Sequence, residues 1–430
     1  MRTFFATHDL LAVSANLKET ALNTEQTLDT GMLCDLGALI AYDRRRESNA
    51  DEAIGKEEAD TLYDLGALAS LDLSFSKMQA QHAGLIIAYA LGSISTAAAG
   101  TGYKHTITPI AGDLDASRSN PSFTMAMRYG KHLLKQRFAS ALIDSFTLSL
   151  KKDSWAQIKA SVKSTGKRTT NITEETVNAA YNTTTLTLAA NAVAGSTAQE
   201  RLDNVHFIRA QVPSTLEWKD VSFSVVSAAT PAVITIVAPG GVATLVDYKI
   251  IYNIAESGDY AWCSFPSRVV EPPLRVTDFS IKFGGKWNGT TLLEGHTMQA
   301  EIKSLEWTFT NGIKPEFVPG AGSGVYANRA LRDGRTQKIS LGRDFRDYIV
   351  GMRADLTDTF VLYALAEGSV YDTPHKYTVE IIWPKVGVLA APQNLDGKRL
   401  GEAGDLVVFE DDTYGSVIVN CKNKVATYAA

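Results

Sequence analysis

Ile143-Asp144-Ser145-Phe146-Thr147-Leu148-Ser149-Leu150 is followed by the polar tetrapeptide Lys151-Lys152-Asp153-Ser154 and then by the stretch from Trp155 to Lys163. In the first segment Phe146, Leu148 and Leu150 share one side of an extended chain. In the second, Ala156, Ile158, Ala160 and Val162 share one side and Gln157, Lys159, Ser161 and Lys163 the other. Successive side chains of a strand point to opposite faces, so period-two alternation marks a half-buried strand. The two segments predict an antiparallel hairpin with one buried and one wet face.

The same signal recurs along the chain. Phe279, Ile281 and Phe283 alternate with polar residues before the turn pair Asn288-Gly289, and Leu305, Trp307 and Phe309 do so before Asn311-Gly312. Tyr377, Val379, Ile381 and Trp383 alternate until Pro384, which lacks the N–H a ladder needs and is expected to stop it. Residues 406–409 and 416–419 read as a closing hairpin across 411–415, and Leu85-Ile86-Ile87-Ala88-Tyr89 reads as a buried strand followed by a small-residue loop. Helical signals are few. Phe345, Tyr348, Ile349 and Met352 fall at helical spacing within 344–354, and the charged stretch 48–63, with Ser48 or Asn49 as a cap, is a weaker second.

From about Thr169 to Arg268 the composition shifts to Thr, Ala and Val, with strands expected at 184–188, 205–212, 221–226, 233–237 and 246–251. Pro231 and Pro239-Gly240-Gly241 supply short turns, which suits a separate Ig-like β-sandwich. The expected organisation is an N-terminal arm and charged segment over 1–70, a first β part over 71–168, the inserted sandwich over 169–270 and a second β part over 271–430. The expected class is mainly β, with one or two short helices.

The 430 residues carry 42 Lys and Arg against 47 Asp and Glu, a net charge of −5, with 45% hydrophobic and 21% charged residues. Such values exclude a disordered chain, a collagen-like fibre and a disulfide-dense miniprotein. An acidic balance does not suit a general binder of phosphate backbones. Cys34, Cys263 and Cys421 are far apart and form no C-x-x-C pair, so three unpaired thiols are expected. The longest uncharged stretch, 83–103, is interrupted by Gly84, Gly92, Gly100 and Gly102, and His8 and Asp9 interrupt the N-terminal apolar residues. Neither a membrane segment nor a signal peptide is expected.

Chemistry-bearing patterns are absent. No two of the histidines at 8, 82, 105, 132, 206, 296 and 375 lie within five residues, which predicts surface or edge histidines without a metal. The segment 161–168 lacks the first glycine of a phosphate loop, and Gly320-Ala321-Gly322-Ser323-Gly324 has no strand-turn-helix context. The acidic pairs Glu57-Glu58 and Asp411-Asp412 lie in charge-rich, solvated stretches. No catalytic, cofactor-binding or metal-binding residue is predicted, and no cofactor. Arg44-Arg45-Arg46 is the one compact basic run, read as a solvated arm or as an ion-pair contact to a neighbouring subunit.

One family shares this order of elements. The matching stretches begin with Gly55-Lys56-Glu57-Glu58-Ala59-Asp60-Thr61-Leu62-Tyr63-Asp64-Leu65-Gly66, Leu71-Asp72-Leu73-Ser74-Phe75 and His105-Thr106-Ile107-Thr108-Pro109. They continue through the 146–166 hairpin, Leu305 to Gly312, Asp333-Gly334-Arg335, the helix near Phe345 and the C-terminal strands. Over roughly 55–420 the chain resembles the tail tube proteins of tailed bacteriophages, the larger kind with an inserted β-domain. The resemblance implies a virion protein of the tail, made in the host cytoplasm, whose copies close into rings that stack as a hollow conduit for DNA ejection. It implies six copies per ring, or three if each half is a tube-like domain, and no catalytic residues. Its partners would be itself and other tail proteins (tape measure, terminator, baseplate or sheath), with DNA passing through the lumen without specific binding. Two alternatives stand beside it: a distal tail or baseplate hub protein closing the tube's end, and a β-sandwich adhesion module.

Elementary physics points the same way, because strand edges must be paired, covered or blunted, and a head-to-tail contact can close a ring or continue as a stack. The long polar stretches 101–122 and 313–336 are expected to reach into the next ring. The expected subunit-contact residues are Arg44, Arg45, Arg46, Glu57, Glu58, Tyr103, Lys104, Arg118, Arg329, Arg332 and Arg335.

Overall fold

The computed structural model describes residues 7, 9–110, 120–130, 134–298, 301–320 and 324–430. Strands dominate, and the chain divides into two compact units.

In the larger unit (Val13–Met125, Phe138–Lys167 and Arg268–Ala430) the hairpin of 143–163 is present. Strand Leu134–Lys151 pairs with Gln157–Ser164, setting Phe146 opposite Ala160 and Leu148 opposite Ile158, all four buried. Leu62–Phe75 adds to one side of this pair and Ala41–Ser48 lies beyond it. On the other side follow Ile302–Thr310, Thr336–Asp344 and Arg399–Val408. A second run of strands goes Gly92–Ala99, Gly102–Pro109, Ile418–Asn423, His375–Ala390, Thr359–Asp372 and Phe279–Phe283.

The sixteen-residue strand His375–Ala390 joins the two runs. Its residues 378–382 pair with Ile418–Asn423 and its residues 386–390 with Arg399–Val408. Pro384 therefore does not end the strand, as alternation alone suggested. It sits where one edge changes partner and where the other edge shifts register between Phe360/Val386 and Leu362/Trp383, so its missing N–H costs no ladder bond. The same division explains why 406–409 and 416–419 do not form a hairpin. Each occupies a different half of the same edge of the long strand. Trp383 of that strand meets Trp307 edge to face at 5.2 Å, and Trp307 meets Phe146 at 4.8 Å, which places bulky aromatic area at the centre of the core.

The segment 85–89 is helical, not extended. It belongs to the α-helix Ala80–Leu91, all twelve residues of which are buried. Beyond Gln81 and His82 in its first turn the helix is apolar all round, which requires enclosure, and it packs against strands of both runs. Its short, Ala-rich turns suit a helix, and Gly92, at φ 93°, ends it by reversing the chain directly into the next strand. Enclosure leaves the helix-end backbone groups without water, so side chains serve them. The Glu271 carboxylate accepts from Gln81 N at 3.1 Å, while the Asn120 and Asn311 amides each donate to Ala90 O at 2.9 Å. Tyr428, near the C-terminus, lies against the helix backbone, and a Cβ at Gly84 would stand 2.8 Å from its ring.

Two further expectations are corrected. Residues 48–63 are not a helix but the end of one strand, a loop and the start of the next. The helix near Phe345 spans Ile349–Leu356, and Tyr348 and Met352 are exposed while Val350 is buried, so the predicted stripe is not the packed face. Cys263 and Cys421 are buried and Cys34 half-buried. His82 and His105 are buried rather than at the surface. His82 stacks on Phe75 at 4.2 Å, accepts from Gln79 N at 3.3 Å and is held neutral by burial, which pushes it down to about 3.

The smaller unit centres on Arg168–Ser267. One sheet orders Ile172–Ala180, Leu245–Asn253, Val205–Gln211 and Trp218–Asp220, the other Thr185–Thr187, Val233–Ile236 and Phe223–Val226. Leu186, Val226 and Ile234 from one sheet share a core with Ile208, Tyr248 and Ile250 from the other.

Two predictions follow the buried helix. Gly84→Ala destabilises by about 1–3 kcal/mol through overpacking against Tyr428, although alanine favours a helix by ~1 kcal/mol; urea unfolding at a fixed pH measures it. Burial pushes the Glu271 carboxyl up to about 7 against the two backbone N–H groups it accepts from. The folded state thus holds a proton that the unfolded state has lost, so this contribution is full below the usual glutamate range and is lost as pH rises through 7. Relative to wild type, Glu271→Gln gains stability from pH 5 to pH 8; a pH-independent difference would contradict this.

Candidate functional site

Three surfaces of the larger unit stand unfinished among the described residues. The first is an arm made of Ala41–Ser48 and the first half of Leu62–Phe75. Residues 43–48 are all exposed, and across from them Leu62 is 58% and Leu65 41% exposed, with Tyr63 also open. A two-stranded ribbon exposed on both faces is marginal alone, so its base must be braced. Ala67 N donates to Val325 O at 2.8 Å, and the Arg45 guanidinium lies 5.4 Å over the Phe317 ring. Gly66, at φ 96°, is required there because a Cβ would come 2.7 Å from Gly324 O.

The loop closing the arm is set by Asn49, which is buried. Its Oδ1 accepts from Asp60 N and Thr61 N at 3.1 Å each, and its Nδ2 donates to Asp60 Oδ1 at 2.8 Å. A side chain that bonds the backbone this way competes with the helix that the charged sequence suggested. Lys56 pairs with Asp60, and Tyr63 donates its hydroxyl to Glu52 at 2.8 Å. Glu57 and Glu58 are exposed on this loop.

The second unfinished surface is the strand Gly92–Ala99, whose one partner among the described residues is Gly102–Pro109. Its sequence, Gly-Ser-Ile-Ser-Thr-Ala-Ala-Ala, carries no charge and no proline, and most of it is exposed. Such an edge offers unpaired N–H and C=O groups without the usual blunting devices. The third is the hairpin of Gln393–Asp396 and Arg399–Val408, where Leu395 stands opposite Leu400, the first 75% exposed.

The residues named from sequence divide accordingly. Arg44, Arg45, Arg46, Glu57 and Glu58 lie together on the arm. Tyr103 and Lys104 lie inside the ladder, half-buried between Gly92–Ala99 and Ile418–Asn423. Arg329 faces Glu316 at 3.9 Å. Arg332 turns inward, is buried and donates to Ile110 O at 3.4 Å. Arg335 lines a half-open cleft. Arg118 and residues 111–119 and 321–323 lie outside the described residues; of the two long polar stretches, 102–109 is a strand and 313–316 with 329–332 is a hairpin. The Gly92–Ala99 edge was missed because its one large apolar residue, Ile94, followed later in the strand by three consecutive alanines, gives alternation nothing to register.

One polar cluster resembles a metal site. His296, Glu301 and Asp347 bring ligand atoms within 4.8 Å of one another. Arg343, itself buried, already neutralises it: it donates to Glu402 at 2.7 Å, Glu301 at 3.3 Å and Asp347 at 3.1 Å. A guanidinium there supplies the charge a cation would bring, and its loss would leave the buried Glu402 without that partner, while Glu301 keeps Arg346. No helix among the described residues is long and apolar enough to cross a membrane.

The arm loop gives a direct prediction. Asn49→Ala removes three hydrogen bonds, costs about 1–3 kcal/mol locally and speeds proteolytic cleavage within 50–60 while the global melt moves little; limited proteolysis with mass spectrometry reads it. No protein-family model matches the chain, and no curated protein sequence matches it.

Proposed function

We propose that the protein is a self-assembling structural subunit whose copies form stacked rings of a bacteriophage tail tube, the conduit for DNA ejection. The observation that carries this reading is the uncharged, largely exposed edge strand Gly92–Ala99. An eight-residue edge of this kind is an aggregation hazard in a monomer and an asset in a ring, where a neighbour's strand completes the sheet and closure removes all edges. The arm fits a second, axial contact, since Leu62, Tyr63 and Leu65 stay exposed on a ribbon that has no other packing role. The tube-forming fold itself is part of this proposal, as are ring symmetry, tail location and the partner proteins at the tube's ends. The reading assigns no catalytic residue and no cofactor.

Electron microscopy of the purified protein in negative stain tests it: stacked rings or tubes are expected, single closed rings would favour a hub at the tube's end, and monomers at high concentration would contradict assembly. Reversing Arg44, Arg45 and Arg46 together to glutamate weakens assembly more at low than at high salt. A second reading concerns the smaller unit as an Ig-like binding module, favoured by Trp218, 40% exposed, and Phe207 on the outer face of its four-stranded sheet. Phe207→Ala with Trp218→Ala leaves assembly intact and abolishes attachment to host-surface glycans if that reading holds.

A further inference from the structure

A cleft of about 440 Å³ in the larger unit is walled by Thr108, Arg335, Gln337, Glu410, Tyr414 and Ser416. Its floor is rigid. Gln337 accepts from the Trp307 indole at 3.2 Å and donates to Ser416 Oγ at 2.9 Å, so it is spent on both sides. In the adjoining turn 411–415, Asp411 is also spent, accepting from Thr413 N and Tyr414 N at 2.9 Å each. Arg335 is not. Its Nε and Nη2 are buried and have no acceptor among the described residues. Buried donors without acceptors are costly, and a guanidinium presents them as a fork shaped for a carboxylate.

The arm loop carries the complementary excess. Asp60 is engaged by Lys56 and Asn49, and Glu52 by Tyr63, whereas Glu57 and Glu58 are exposed and bond to nothing among the described residues. We infer that the Arg335 cleft is the receptor for the arm of a second copy of this chain, with the Glu57 or Glu58 carboxylate accepting from Arg335. Within one chain these groups do not meet, so the contact is heterologous: each copy gives an arm and offers a cleft, and the series continues. The inference rests on the assembly reading and names the contact that reading leaves unspecified.

A charge swap in the full-length protein tests it by sedimentation velocity across a concentration series. Arg335→Glu, and separately Glu57→Arg with Glu58→Arg, each raise the concentration for half-assembly by about tenfold or more, and the three changes together restore it. The loop pair is exposed and keeps the wild-type melt, which separates a lost contact from a lost fold, and circular dichroism checks the same for R335E. An assembled wild type whose R335E and loop-pair variants assemble equally well overturns the cleft contact alone. Failure of the triple variant to recover while the single sets are impaired overturns the pairing. A wild type that stays monomeric overturns the assembly reading and this inference with it.

Discussion

The enclosure of the helix Ala80–Leu91 is the constraint around which the larger unit is arranged. Twelve buried residues cannot be left with unpartnered peptide groups at the ends, because a lost backbone bond away from water costs several times what a formed one contributes. Glu271 serves one end and Asn120 and Asn311 the other, and those three residues come from three separate parts of the chain. Satisfying the helix thus ties the segment before the first long hairpin, the turn after Ile302–Thr310 and the segment before Phe279–Phe283 into one body. The C-terminal Tyr428 closes over the same helix, with its hydroxyl between Asn423 and Gln81.

A core held this firmly permits edges that are not held at all. Where the two runs of strands share His375–Ala390, their ladders are complete, and the aromatic contacts of Trp307, Trp383 and Phe146 fill the space beneath. At the periphery the pattern reverses: the Gly92–Ala99 edge carries no charge, the arm exposes leucines, and Arg335 keeps buried donors without acceptors among the described residues. Each is a local violation of the rule that a sequence agrees with its fold at every level, and such violations concentrate where a protein meets something else. Their common explanation is a partner that completes them.

Much of this was legible in the residues. Alternation at Phe146, Leu148 and Leu150, at Leu305, Trp307 and Phe309, and from Tyr377 to Trp383 located the principal strands, because those strands have one buried and one wet face. Leu85 to Tyr89 was misread because a helix enclosed on all sides has no polar face and so shows no period. The charged stretch after Ser48 was misread because the bond from Asn49 to Asp60 and Thr61 spans a loop and leaves no local pattern. Arg44 to Arg46 and Glu57-Glu58 stood out as charge runs, and they do sit together on the arm. That Arg332 is buried and engaged while Nε and Nη2 of Arg335, three residues on, find no acceptor among the described residues is a matter of tertiary environment that spacing does not encode.

The central claim is that unfinished edges are completed by further copies of the chain. A cryo-electron microscopy reconstruction of the particles formed by the full-length protein tests it most directly. The account predicts one continuous sheet crossing each subunit boundary, with Gly92–Ala99 hydrogen-bonded to a neighbour's strand. Particles in which that strand faces solvent, or a protein that forms no particles, would contradict it.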